Sequence, residues 1–182
     1  MTDHPARAED LPDDLPVDVR SDIRDWLNQP LDPEVATFPV EQGYIWTVCA
    51  ATENGNPLFW EPTVAAALTG GPIAPPTMLS AWFRPHHWSP LPGAATLPLQ
   101  LHFDLKARLA LPEAVISDNT LTLHDPVRVG DILTTCQRLR SISAEKTTRL
   151  GVGRFWRIDV EYRNQDDDLV GIDSLTGYGY RR

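Results

Sequence analysis

The sequence predicts an α+β domain in which a long antiparallel sheet wraps around a central apolar helix, and three observations carry that prediction. Up to about residue 110 the apolar residues recur at helical spacing. From about Val115 the period changes to two, the spacing of strands. One helical stretch, residues 76–84, is apolar over much of its surface, as buried helices are. Helices first and strands afterwards make an α+β pattern, and a sheet with an apolar face must close that face over something. The stretch 76–84 is the natural filling.

Residues 1–16, MTDHPARAEDLPDDLP, are rich in Pro and Asp and read as a flexible N-terminal arm, with residues 17–182 as a single domain. Beyond Pro16, Val19, Ile23, Trp26 and Leu27 form a narrow helical stripe, which Asn28 to Pro33 breaks. A second helix is expected over Glu41–Thr52, with Ile45, Val48, Cys49 and Thr52 on one face. In EPTVAAALTGG, Pro62 suits a first helical turn and Gly70-Gly71 a stop. Pro75 and Pro76 lack N–H donors and fit a helix entrance, after which Met78, Leu79, Trp82 and Phe83 follow at helical spacing. Leu101, Leu105 and Leu109 mark a further helix.

HDPVRVGD, residues 124–131, reads as a connection between two strands. Trp156, Ile158, Val160 and Tyr162 alternate with Arg157, Asp159, Glu161 and Arg163, which predicts a half-exposed strand. Asn164 to Asp168 is a turn, and Leu169–Tyr180 the second arm of a hairpin.

A length of 182 residues suits one domain with a substantial core. The net charge of −9 repels phosphate backbones and anionic membranes, and no basic stripe overrules it, so nucleic-acid and membrane partners drop out. No apolar run approaches the ~20 residues that cross a bilayer. The N-terminus has acids where a secretory signal has bases, and Cys49 and Cys136 form neither a disulfide framework nor a metal pattern. A reduced, cytoplasmic setting is expected.

Three separated blocks carry a family resemblance. NPLFWEPTVAAALTGGPIAPPTML, HDPVRVGD and GRFWRIDVEYRNQDDDLVGID stand in the order found in MaoC-like, hot-dog-fold hydratases, and most resemble the N-terminal domain of MaoC-like or FAS1-like dehydratases. The resemblance spans roughly residues 35–180 and implies a hot-dog fold. In active members of the family the turn runs Asp-x-Asn-Pro-x-His, and the Asp and His activate a water for addition across an enoyl thioester. Here Asn56 and Pro57 match the Asn-Pro, while Asn54 stands at the Asp position and Phe59 at the His position. Asn takes up no proton at useful pH, and Phe has no polar atom. Loss of one general acid or base costs about 10²–10⁴-fold in rate, and here both are gone.

The resemblance therefore implies the inactive half of a heteromeric enoyl-CoA hydratase. Its partner would be a small catalytic MaoC-like subunit, in a heterodimer or heterotetramer, and the substrate a bulky acyl-CoA. The helical stretch HFDLKARLALPEAVISDN is most similar to the subgroup of steroid side-chain degradation, with the mycolic-acid dehydratase pairs next. Asn54, Asn56, Pro57 and Phe59, with Ala74, Pro75, Pro76 and Thr77, would form the non-reactive half-site. Arg154 and Arg157, with Arg149 nearby in sequence, would meet the phosphates of coenzyme A, which is part of the substrate; no separate cofactor and no metal is implied.

Blander readings stand beside these. Phe59 or Trp60 could be core, Thr77 could cap a helix, and Arg157 could lie on a solvated face. His86 and His87 are adjacent in HHWSP, aim apart and lack further ligands, so a loop or interface suits them better than catalysis or metal binding. Trp82 and Trp88 flank that Pro-rich loop and suit a partner contact. Two other functions remain open: a self-sufficient homodimeric dehydratase or thioesterase using Glu53 or His86, and an acyl-CoA binding module without turnover.

Overall fold

The computed structural model describes residues 15–84 and 99–182. The N-terminal arm up to Asp14 and the HHWSP loop with His86, His87 and Trp88 lie outside the described residues.

Helical and turn elements occupy most of the first half. α1 (Ser21–Arg24) is one turn long, shorter than the expected stripe, although Val19 and Ile23 are buried as that stripe requires. β1 (Leu31–Val35) forms where the sequence suggests only a break. Pro33 hid it, since proline argues against a strand unless the strand lies at a sheet edge, and β1 is an edge. α2 (Gln42–Ala51) lies within the expected bounds, with Ile45 and Cys49 buried. α3 (Pro57–Trp60) is a single turn, and α4 (Pro62–Thr69) starts at its proline and stops at Gly70, whose φ of 72° is left-handed.

The expected central helix over 76–84 is instead two 3₁₀ turns, Pro76–Met78 and Ala81–Phe83, closed by i→i+3 bonds such as Met78 N–H to the Pro75 carbonyl (2.8 Å). Prolines at 75 and 76 remove donors at one end, and Arg84, which precedes Pro85, is extended as that position prefers. Burial was read correctly: Met78, Leu79 and Trp82 are all in the core. The helix that fills the sheet is α5 (Gln100–Arg108), whose Leu101 and Leu105 are fully enclosed and join the same core.

The sheet has six strands, with β2 (Glu113–Leu123), β3 (Thr134–Ile142), β4 (Lys146–Thr148), β5 (Gly151–Arg163) and β6 (Leu169–Arg181) following α5. Its order is β1-β3-β5-β6-β2, all antiparallel, with β4 on β5. The expected hairpin is β5–β6, and Asn164 sets its turn by accepting the N–H groups of Asp166 and Asp168.

α5 is tied to the sheet at two points. The Leu101 N–H donates to Gln137 Oε1 (3.1 Å), and the Trp156 indole N–H donates to His102 Nδ1 (3.2 Å). Trp156 lies flat against Gly177 and Gly179 of β6, where an added Cβ would collide with its ring. The far face of β5 departs from expectation. Asp159 and Glu161 are buried, because Arg140 and Arg157 close over Asp159 and Arg138 pairs with Glu161 at 2.7 Å. Carboxylates out of water need such partners.

Candidate functional site

The Asn-Pro turn begins where α2 ends. Glu53 takes a left-handed φ of 53°, and the Asn54 N–H reaches back to the Cys49 carbonyl (2.8 Å). Asn54 Oδ1 then accepts the Asn56 N–H (3.2 Å), and Asn56 Oδ1 accepts the Leu58 N–H (3.0 Å). Asn56 is thereby the N-cap of α3, and Pro57 fills the first helical position, where its missing donor costs nothing. Two indoles clamp the result: Trp60 donates to the Asn54 carbonyl (2.7 Å) and Trp46 to the Phe59 carbonyl (3.0 Å). Their rings lie parallel with centroids 6.3 Å apart.

This frame leaves almost no space. Phe59 is buried in the main core, while Trp60 is partly exposed. The void beside Phe59, lined by Gln42, Trp46, Leu58 and Trp60 among others, measures about 20 Å³. That is room for about one water. Glu53 is exposed, and the hydrogen bonds that shape the turn come from Asn54 and Asn56.

The APPT segment sits apart from this void. Ala74 and Pro75 are buried; Pro76 and Thr77 are exposed. Thr77 lies inside the first 3₁₀ turn and caps nothing, since the cap position belongs to Pro75. The segment just before it is stitched to the HDPVRVGD connection: Ala74 N–H to the Val127 carbonyl (2.8 Å) and Val129 N–H to the Pro72 carbonyl (3.2 Å). Two of the blocks that carry the resemblance are therefore one piece of structure. Asp131 finishes it by accepting the Arg128 N–H (2.7 Å).

Both arginines assigned to phosphates have partners within the chain. Arg154 pairs with Asp18 and donates to the Ser143 carbonyl (3.0 Å), and its hydrogen bond holds the Asp18 carboxyl below the usual carboxylate range. Arg157 is 3.4 Å from Asp159. Arg149 is exposed between β4 and β5.

A second space was not foreseen. A cavity of about 420 Å³ lies between Leu99 and Phe103 at α5, the second 3₁₀ turn with Ser80, Phe83 and Arg84, and the inner face of the sheet. The sheet contributes Glu34, Thr135, Gln137, Val160, Tyr162, Asp173 and Leu175. Burial pushes the Asp173 carboxyl up, against the Asn119 amide that hydrogen-bonds it and the nearby Arg84 charge. Burial raises Glu34 too, and pushes the Tyr162 phenol well above its ordinary value, with Asp173 adding to the effect. The signal in the sequence was Asp173 itself: pairing β6 with β5 sets Asp173 opposite Val160, so it shares the apolar face with Tyr162. Among the described residues no cluster of His, Cys, Asp and Glu could hold a metal ion, and no helix is long and apolar enough to cross a membrane.

Known proteins share this fold. The chain is similar to the probable enoyl-CoA hydratase alpha subunit of Thermomonospora curvata, at 27% identity over 157 residues, covering 84% of this chain and 49% of that protein. It therefore spans about half the length of that relative. Among solved structures, it is similar to a chain of the ChsH1-ChsH2 complex from Mycobacterium tuberculosis, with a TM-score of 0.67 at 22% identity over 88% of this chain and 92% of that one. A MaoC-like dehydratase from Rhodospirillum rubrum follows, with a TM-score of 0.60 at 18% identity over 86% and 93%. These likenesses establish the hot-dog fold. The profile of the FAS1-like dehydratase domain region matches residues 31–172, most of the chain, and the protein belongs to that family.

Proposed function

We propose that this chain is the non-catalytic subunit of a heteromeric enoyl-CoA hydratase. It would complete the cleft for a bulky acyl-CoA, with a steroid side chain the favoured acyl group, while a small MaoC-like partner supplies the Asp and His that add water. The observation that carries this reading is the Asn-Pro turn. Its backbone is held by Asn54, Asn56, Trp46 and Trp60, yet Asn54 stands where a carboxylate would work and Phe59 is committed to the core. Asn54, Asn56, Pro57, Phe59 and Ala74–Thr77 would form the passive half-site. For Arg154 and Arg157 to hold coenzyme A, its phosphates would have to displace Asp18 and Asp159.

The sheet edge supports a partner. β2 is an outer strand of eleven residues, with Val115, Ile116, Leu121 and Leu123 exposed on it. A long apolar edge is a template for another strand, and a second hot dog joined there would cover it. The relative named as an alpha subunit and the similarity to a chain of a two-protein complex agree with that assembly.

The test is to purify the chain alone and together with a candidate small MaoC-like catalytic subunit. Hydration of a bulky enoyl-CoA is followed by loss of the enoyl-thioester absorbance, with size-exclusion chromatography on the same samples. An inert chain that forms a stable, active complex is expected. Turnover by the chain alone, abolished by Glu53→Gln, would overturn the reading in favour of a self-sufficient enzyme.

A further inference from the structure

The cavity of about 420 Å³ falls in the ~300–1,000 Å³ range of small-molecule sites. Its walls are of two kinds. Phe83, Leu99, Phe103, Val160 and Leu175 are apolar, whereas Glu34, Arg84, Tyr162 and Asp173 bring polar groups to the same space. The Thr135 hydroxyl is also unpartnered, but it is too enclosed to meet a guest. A site of purely apolar purpose would not carry two carboxyls and a phenol, because each resists the loss of water unless something hydrogen-bonds it. A hydrocarbon guest would strip water from these groups and return nothing. A carboxylate guest would meet Glu34 and Asp173. A hydroxyl guest can donate to a carboxylate and accept from the Tyr162 phenol, and a carbonyl guest can accept from that phenol, at no charge penalty.

We propose that this cavity receives the end of the acyl group remote from the thioester, and that the Tyr162 phenol donates to a hydroxyl or carbonyl oxygen carried there, while Asp173 accepts from the hydroxyl. The proposal rests on the reading of the chain as an acyl-CoA hydratase subunit, and deepens it: the substrate is an oxygenated apolar skeleton, not a plain fatty chain. Tyr162 is positioned for this by its ring contact with Phe83 (centroids 5.6 Å apart), and Asp173 by the Asn119 amide. Both side chains are set by strand register, so the polar end of the cavity is fixed before any guest enters.

The test is calorimetric titration of the full chain with ω-hydroxydecanoyl-CoA, decanoyl-CoA and free decan-1-ol. The hydroxylated thioester should bind roughly tenfold more tightly than the plain one, the difference made by about one net hydrogen bond. Tyr162→Phe, which keeps the ring and its packing, should remove that preference, so that the hydroxylated and plain thioesters bind alike. Asp173→Asn, which keeps size and hydrogen-bonding capacity, should retain part of it. Equal binding of the two thioesters, or a preference that survives Tyr162→Phe, overturns the proposal and leaves the hydratase reading intact. Decanol binding that needs the Tyr162 hydroxyl, with neither thioester bound, sinks the hydratase reading and keeps polar recognition in the cavity. Binding of no probe overturns the cavity proposal and leaves the hydratase reading to be decided on the complex.

Discussion

The Asn-Pro turn and the cavity share no lining residue, and they differ in almost every respect that matters for function. The turn has the residues that look like an active site, and about 20 Å³ of space. The cavity has about 420 Å³, and residues that no motif points to. The turn keeps its shape because its side chains have local structural work: Asn54 and Asn56 close successive turns, and Trp60 clamps the Asn54 carbonyl. Those bonds need an Asn carbonyl or an Asp carboxylate equally, so the geometry does not depend on a carboxylate at residue 54. The cavity depends on nothing local. Glu34, Tyr162 and Asp173 come from three strands, and only the sheet's register brings them together. A recognisable motif can thus be held in shape by local bonds alone, while a space large enough for a ligand is assembled from positions far apart in the chain.

The sharpest way to break this contrast is Phe59→Ala. A core ring removed from the turn should cost about 3–5 kcal/mol, read from urea unfolding. A cost below ~1 kcal/mol would mean the ring is not core, and the turn would again be a candidate pocket. The complementary change is Leu175→Trp, which fills the cavity from β6. Overpacking should cost about 1–3 kcal/mol of stability. Acyl-CoA binding should weaken by roughly tenfold or more, since the site loses its volume rather than one contact. Unchanged affinity would show that the acyl group goes elsewhere. A smaller effect is expected from Asn56→Ala, which removes the N-cap of α3 and should cost about 1 kcal/mol of stability, read from urea unfolding.

Much of the fold was legible, for identifiable reasons. The β5–β6 hairpin could be read because its inner face alternates cleanly, α2 and α5 because their apolar residues recur at helical spacing, and α4 because Pro62 and Gly70-Gly71 bound it. The segment 76–84 misled because helical spacing of Met78, Leu79, Trp82 and Phe83 is equally served by two 3₁₀ turns when prolines bound the run. β1 was hidden by Pro33. At the candidate site, residue type left Phe59 or Trp60 as core, and the structure makes it Phe59, whereas the capping role of Asn56 shows only in the structure. The cavity did not, because it depends on the pairing of β3, β5 and β6 and on how closely Phe83 and Phe103 approach the sheet. Alternation alone put Asp159 and Glu161 in water, whereas Arg138, Arg140 and Arg157 cover them.

The contrast also has a pH signature on the cavity side. Burial raises the Asp173 carboxyl above its unfolded value, and Arg84, Glu34 and Tyr162 are the other ionisable groups around it. A folded-state value above the unfolded one means that the native state holds the proton more tightly. The resulting stability is fully present below the unfolded value of about 3.9 and is lost as pH rises through the folded value. Asp173→Asn cannot titrate, so the stability of the natural protein relative to this variant should decline over that window and level off above it. Urea midpoints measured from acid to neutral pH on both proteins check the sign. A relative stability that rises with pH would mean that Arg84 outweighs burial and that Asp173 sits in the cavity as a paired anion, which would weaken its fitness to meet an uncharged oxygen.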